Sequence, residues 1–67
     1  MPVIGYAIWR LDPDGWSPVE RFAPEQALAA DRTVDALRRE RPGVYRLWLY
    51  TTQGARLLRD TAEEESR

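Results

Sequence analysis

Few side chains in this 67-residue chain could do covalent chemistry: Ser17, the pair Asp12 and Asp14, and the run Glu63-Glu64-Glu65. A serine needs an activating base, and the chain has no histidine, cysteine or lysine. The usual general base near neutral pH, the thiolate nucleophile and the Schiff-base amine are therefore all missing. Asp12 and Asp14 flank a proline within Asp-Pro-Asp-Gly, which lacks the run of oxygen ligands and the closing glutamate of a calcium loop. The four glycines stand singly, so no phosphate-cradling loop can form. The sequence leads to the expectation of no catalytic residue, no cofactor, no metal and no small-molecule substrate.

The chemistry left is that of binding. All ten basic residues are arginine, whose planar guanidinium stacks on rings and pairs bidentately with carboxylates. Three tryptophans and three tyrosines accompany them, and Trp, Tyr and Arg are the residue types enriched at interface hot spots. The net charge of −1 hides an asymmetry, because four of the eleven acids (Asp60, Glu63, Glu64 and Glu65) lie in the last eight residues. Residues 1–59 carry nine arginines against seven acids. That is less basic than a dedicated duplex binder.

The elements that must position these side chains follow from pattern. Residues 3–11, VIGYAIWRL, are rich in β-branched and aromatic residues and run into Asp12-Pro13-Asp14-Gly15, a hairpin turn signal. The returning strand, residues 16–22, contains Pro18, which cannot donate a ladder hydrogen bond and so belongs at a sheet edge. Pro24 at a first helical position, with Glu25 in the first turn and Phe22 set to staple against Ala27, predicts a helix start. Ala23, Ala27, Ala30, Val34 and Leu37 share one stripe at 100° per residue, and Pro42-Gly43 stops the helix. Residues 44–50 and 55–60 form a second hairpin across Thr51-Thr52-Gln53-Gly54.

The pattern predicts an α+β fold: one ββαββ domain over residues 1–60, with a four-stranded antiparallel sheet in the order 2-1-3-4 and a helix packed on one face. A right-handed crossover through the helix gives that order and leaves Pro18 on an edge. Residues 61–67 read as an acidic, disordered tail. The layout resembles that of small bacterial and phage domains built from a hairpin, a helix and a second hairpin, and the lack of catalytic groups is compatible with an inhibitor or adaptor that acts by binding. With no cysteine, no apolar leader and no membrane-length run, the expected location is the cytoplasm.

Alternation along the strands predicts which face stays open. Gly5, Ala7, Trp9, Leu11, Trp16 and Phe22, with Tyr45, Leu47, Leu49 and Leu58, form a group without charge and are expected beneath the helix. The other group, Ile4, Tyr6, Ile8, Arg10, Val19, Arg21, Val44, Arg46, Trp48, Tyr50, Leu57 and Arg59, is expected to be uncovered. Within it, Tyr6, Ile8, Arg10, Arg21, Arg46, Trp48, Tyr50 and Arg59 are the expected partner-binding residues. A homodimer or docking on another protein is the leading expectation, because a small chain gains from added burial. Single-stranded nucleic acid stacked on the same aromatic residues is the alternative.

Overall fold

The computed structural model describes residues 2–66. Its elements run β1 (Val3–Asp12), β2 (Gly15–Phe22), α1 (Ala27–Glu40), β3 (Tyr45–Thr51), β4 (Gly54–Asp60) and α2 (Thr61–Glu65). The four strands form one antiparallel sheet in the order β2-β1-β3-β4. The expected α+β fold and strand order are those observed. Pro13-Asp14 turns the first hairpin, and Gly15 closes it at φ 122°, a backbone conformation that glycine adopts at little cost. Pro18 lies on the outer strand β2, where its missing N–H removes no bond from a central ladder.

Helix α1 begins later than Pro24 suggested. Gln26 stands at the N-cap position without a side-chain capping bond: its Oε1 instead accepts from the Ala23 N–H at 2.8 Å, while its N–H donates to the Ala23 carbonyl at 3.0 Å. That local turn uses up Pro24 and Glu25 before the first helical residue. At the other end the Arg41 N–H donates to the Leu37 carbonyl at 2.7 Å, and Arg38 and Arg39 lie in the last turn, where cations complement the helix dipole.

The core sits between α1 and the central strands. Ile8, Ala30, Val34, Tyr45 and Leu47 form one buried cluster, with Tyr6, Phe22 and Leu37 packed against it. Full burial of an aliphatic side chain contributes about 1.5–3 kcal/mol, so Ile8, Val34 and Leu47 carry much of the stability of this small domain. The Tyr45 hydroxyl donates to the Arg41 carbonyl at 2.6 Å, which ties the first residue of β3 to the end of α1.

Three single-residue irregularities reassign the faces. The β1 register slips between Val3 and Gly5, the β1–β2 register between Ile8 and Trp9, and the β3–β4 register between Leu47 and Trp48. Ile4, Val19 and Leu58 are the residues left over, and all three are exposed. Because facing side chains have a period of two, each extra residue moves the following side chains to the other face. Phe22 thus pairs with Tyr6 and not with the Trp9 group, and Arg59 pairs with Leu47. The face under α1 comprises Tyr6, Ile8 and Arg10 of β1 with Tyr45, Leu47 and Leu49 of β3.

Four expected partner-binding residues are on the covered side: Arg59 through the irregularity at Leu58, and Tyr6, Ile8 and Arg10 because the helix covers the opposite face of β1 from the one expected. Ile8 is fully buried, Tyr6 packs on the core, and Arg10 lies 5.9 Å from the Tyr45 ring centre beside Gly43. Arg59 is engaged by carboxylates from both helices. The physical reason lies in the pairing of β1 with β3: Ile8 meets Leu47 beneath Ala30 and Val34, with Tyr6, Tyr45 and Phe22 around them, while Ala7 meets Trp48 and Trp9 meets Arg46 on the other side. Arg59 finds its carboxylates on the helix side.

Residues 61–65, expected as part of a disordered tail, form α2 instead. Asp60 caps this helix, its Oδ1 accepting from the Ala62 N–H at 3.0 Å. Thr61 is fully buried, and its hydroxyl oxygen accepts from the Tyr45 N–H at 2.9 Å. The Glu64 carboxylate pairs with Arg59 and Arg38. Two local partners, Asp60 and Arg59, and two distant ones, Tyr45 and Arg38, order this segment together. Among the described residues, no helix is long and apolar enough to cross a membrane.

Candidate interaction face

The side of the sheet away from α1 carries all three tryptophans. Register places Gly5, Ala7, Trp9 and Leu11 of β1 on it, beside Trp16, Pro18 and Arg21 of β2 and Arg46, Trp48 and Tyr50 of β3. Ala55, Leu57 and Asp60 continue it onto β4. Trp9 and Trp48 stand on the central strands, fixed by ladders on both sides, and Trp16 stands on the outer strand β2. The Trp9 indole Nε1–H donates to the Tyr50 hydroxyl at 3.0 Å, locking two rings on adjacent strands together.

Charge on this face is sparse and partly neutralised. The Arg46 Nε donates to the Asp60 Oδ2 at 3.0 Å, and the Asp60 side chain is only 8% exposed. The Arg46 guanidinium also lies 4.2 Å from the Trp16 ring centre, a cation–π contact of about 0.5–2 kcal/mol. Arg46 thus bridges β3 to the outer strand and presents a flat, charge-compensated plate. Arg21 is different: it is exposed and has no hydrogen bond, ion pair or ring contact among the described residues.

Two shallow clefts open on the face. One, about 360 Å³, is lined by Gly5, Ala7, Trp9, Arg21 and Tyr50 of this face together with Ile4, Tyr6 and Phe22, where the sheet ends. The other, about 320 Å³, lies among Trp9, Trp16, Arg46, Trp48, Tyr50 and Ala55. Both are at the small end of clefts that hold ligands, about 300–1,000 Å³. A side chain fits such hollows better than a cofactor does.

Of the residues singled out from sequence, Arg21, Arg46, Trp48 and Tyr50 lie on the open face, while Tyr6, Ile8, Arg10 and Arg59 do not. Trp9, Trp16 and Leu11 also lie on this face. The turn groups these three together, as expected, but on the side away from the helix. Bulk is no guide, because Tyr6, Tyr45 and Phe22 fit beneath the same helix; alternation groups side chains on a strand but does not say which group the helix covers.

The opposite side is closed by ion pairs. Arg59 donates through Nη1 to Asp31 Oδ1 at 3.0 Å, through Nη2 to Asp35 Oδ1 at 3.0 Å and Glu64 Oε1 at 2.8 Å, and through Nε to Glu64 Oε2 at 3.1 Å. Its hydrogen bonds to Glu64 raise the guanidinium pKa still further and hold the Glu64 carboxyl below its ordinary value. This cluster joins α1, β4 and α2 and holds its own counter-charge. Among the described residues, no group of three or more acidic side chains is arranged to hold a metal ion. Compared with protein-family models, with curated proteins and with solved structures, the chain matches none.

Proposed function

We propose that this chain is a small, non-enzymatic protein-interaction module that works through the open face of its sheet, by self-association or by docking on a protein partner. One observation carries the reading: Trp9, Trp16, Trp48 and Tyr50 share the face that neither helix covers. The four rings are half-buried, and with exposed Leu11 and Leu57 beside them they form an apolar patch of a kind that soluble monomers keep small; rigid aromatic side chains also lose little entropy when a partner covers them. Single-stranded nucleic acid is the other occupant that aromatic sheet faces take. It needs cations for phosphates, and here Arg46 is held by Asp60, which leaves Arg21 as the unpaired arginine of this face.

Since all three indoles lie on this face, the whole tryptophan signal of the protein reports on it. Acrylamide quenching of that emission is expected to weaken as protein concentration rises from about 1 µM to about 1 mM, the range in which dimers of modest interface area form. Quenching that stays constant over this range contradicts self-association. Constant quenching that instead weakens, in a salt-sensitive way, on addition of oligothymidylate would replace the protein reading with the nucleic-acid one.

A further inference from the structure

The open face carries a hollow, an exposed knob and two unpaired opposite charges. Its hollow, lined in part by Gly5 and Ala7, lies toward one end of β1. Its most exposed apolar knob within the regular ladder, Leu11, is 45% exposed and lies toward the other end. Ala7 and Leu11 are each two residues from Trp9, on the same face of the same strand. Arg21, opposite Ala7 on β2, is an unpaired cation at the hollow. Asp14, in the turn just beyond Leu11, is exposed and unpaired among the described residues.

Taking the open face as the binding surface, we infer that its occupant is a second copy of the chain, related by a two-fold axis that crosses β1 at Trp9. An axis lying between two facing sheets and perpendicular to β1 carries Leu11 of each copy over Ala7 of the other. It brings Asp14 of each turn toward Arg21 of its partner. Such an isologous contact uses every feature twice: two knobs in two hollows and two charge pairs at the ends. Arg46 falls near the axis, where Asp60 and the Trp16 ring compensate its charge. The available area is also suitable. Four strands of seven to ten residues, at about 4.8 Å between strands and about 3.3 Å per residue, give a footprint of about 450–600 Å² in projection. That is of the order of the roughly 800 Å² of accessible surface that each partner contributes to a standard interface.

The test is a charge-swap cycle read by sedimentation equilibrium at about 0.1 M salt, with Arg21→Glu, Asp14→Arg, the double variant, and Leu11→Ala. All three positions are exposed, so the variants keep the fold, which far-UV circular dichroism checks. Each single swap is expected to weaken the dimer about five- to tenfold by placing like charges opposite each other at two contacts, and the double variant is expected to return to within about threefold of the wild type. Leu11→Ala weakens the dimer about tenfold or more. A wild type that remains monomeric to about 1 mM overturns the second copy as occupant and leaves the face to a foreign protein. A dimer that Trp48→Glu disrupts but that ignores Leu11→Ala and shows additive losses in the two swaps overturns this arrangement while the open-face reading stands. A dimer indifferent to all of these, Trp48→Glu included, overturns both.

Discussion

The Arg59 guanidinium grips the Glu64 carboxylate through two parallel hydrogen bonds, Nη2 to Oε1 at 2.8 Å and Nε to Oε2 at 3.1 Å. The same guanidinium holds Asp31 and Asp35 on α1, so one side chain from an edge strand fastens both helices to the sheet. Its side chain is 19% exposed, and screening is correspondingly incomplete. Replacing Arg59 by Met keeps the apolar stem, leaves Asp31 and Asp35 without their cation and leaves Glu64 with Arg38 alone. Urea unfolding is expected to show a loss of about 1–3 kcal/mol. Arg59→Lys is expected to recover only part of it, because an ammonium cannot reproduce the bidentate fork.

The same contact sets a pH dependence. Glu64 has a folded pKa below its ordinary value, chiefly through its hydrogen bonds to Arg59. Its contribution to stability is therefore fully present above the unfolded value of about 4.3 and is lost as the pH falls through the lower folded value. The Glu64 side chain is 36% exposed, so the effect is modest. Thermal unfolding at pH 6 and at pH 3 is expected to show a smaller acid-induced drop in Tm for Glu64→Gln than for the wild type. Equal drops would remove Glu64 from the acid response.

Thr61 joins α2 to the sheet by a different bond. Its buried hydroxyl is the acceptor for the Tyr45 N–H, and Thr61→Val keeps the shape while removing that acceptor. A buried donor without a partner costs about 1–3 kcal/mol. Chemical denaturation is expected to show a loss in that range for Thr61→Val and a smaller one for Thr61→Ser, which keeps the oxygen. If the two variants were equally stable, the hydrogen bond would not be what orders α2.

Gly5 is fixed by close approach. A Cβ at this position would lie 2.5 Å from the Phe22 carbonyl oxygen, nearer than such atoms come, and that oxygen is backbone. Gly5→Ala must push the end of β2 away from β1 and reshape the lining of the hollow. The expected cost is about 1–3 kcal/mol, with amide shift changes in the NMR spectrum concentrated at Tyr6 and Phe22. An unperturbed spectrum would contradict the tight pairing.

Much of this architecture is legible in the chain. Asp12-Pro13-Asp14-Gly15 specifies the first turn, Pro18 the edge, Pro42-Gly43 the helix stop, and crossover handedness the order β2-β1-β3-β4. Each is a local steric rule or a topological one, which a single sequence carries. The faces are less legible, because one unpaired residue at Ile4, Val19 or Leu58 inverts everything beyond it and no side chain advertises the slip. Trp48 and Tyr50 lie on the expected face because β3 has no bulge of its own, whereas Trp9 and Trp16 lie opposite to expectation because alternation does not say which face of β1 the helix covers. The short C-terminal helix was hidden for another reason. Its supports, Tyr45, Arg38 and Arg59, are between 5 and 26 residues away from their partners in the chain.

The working surface of this protein is held to be the face of Trp9, Trp16, Trp48 and Tyr50. The direct measurement is solution mass by sedimentation equilibrium from about 1 µM to about 1 mM, comparing wild type with Trp48→Glu and with Leu57→Glu, a gentler change because Leu57 is already 38% exposed. The predicted result is a concentration-dependent dimer in the wild type and a folded monomer for both variants over most of the range. A wild-type dimer that persists unchanged in both variants would place the interface elsewhere and contradict the assignment.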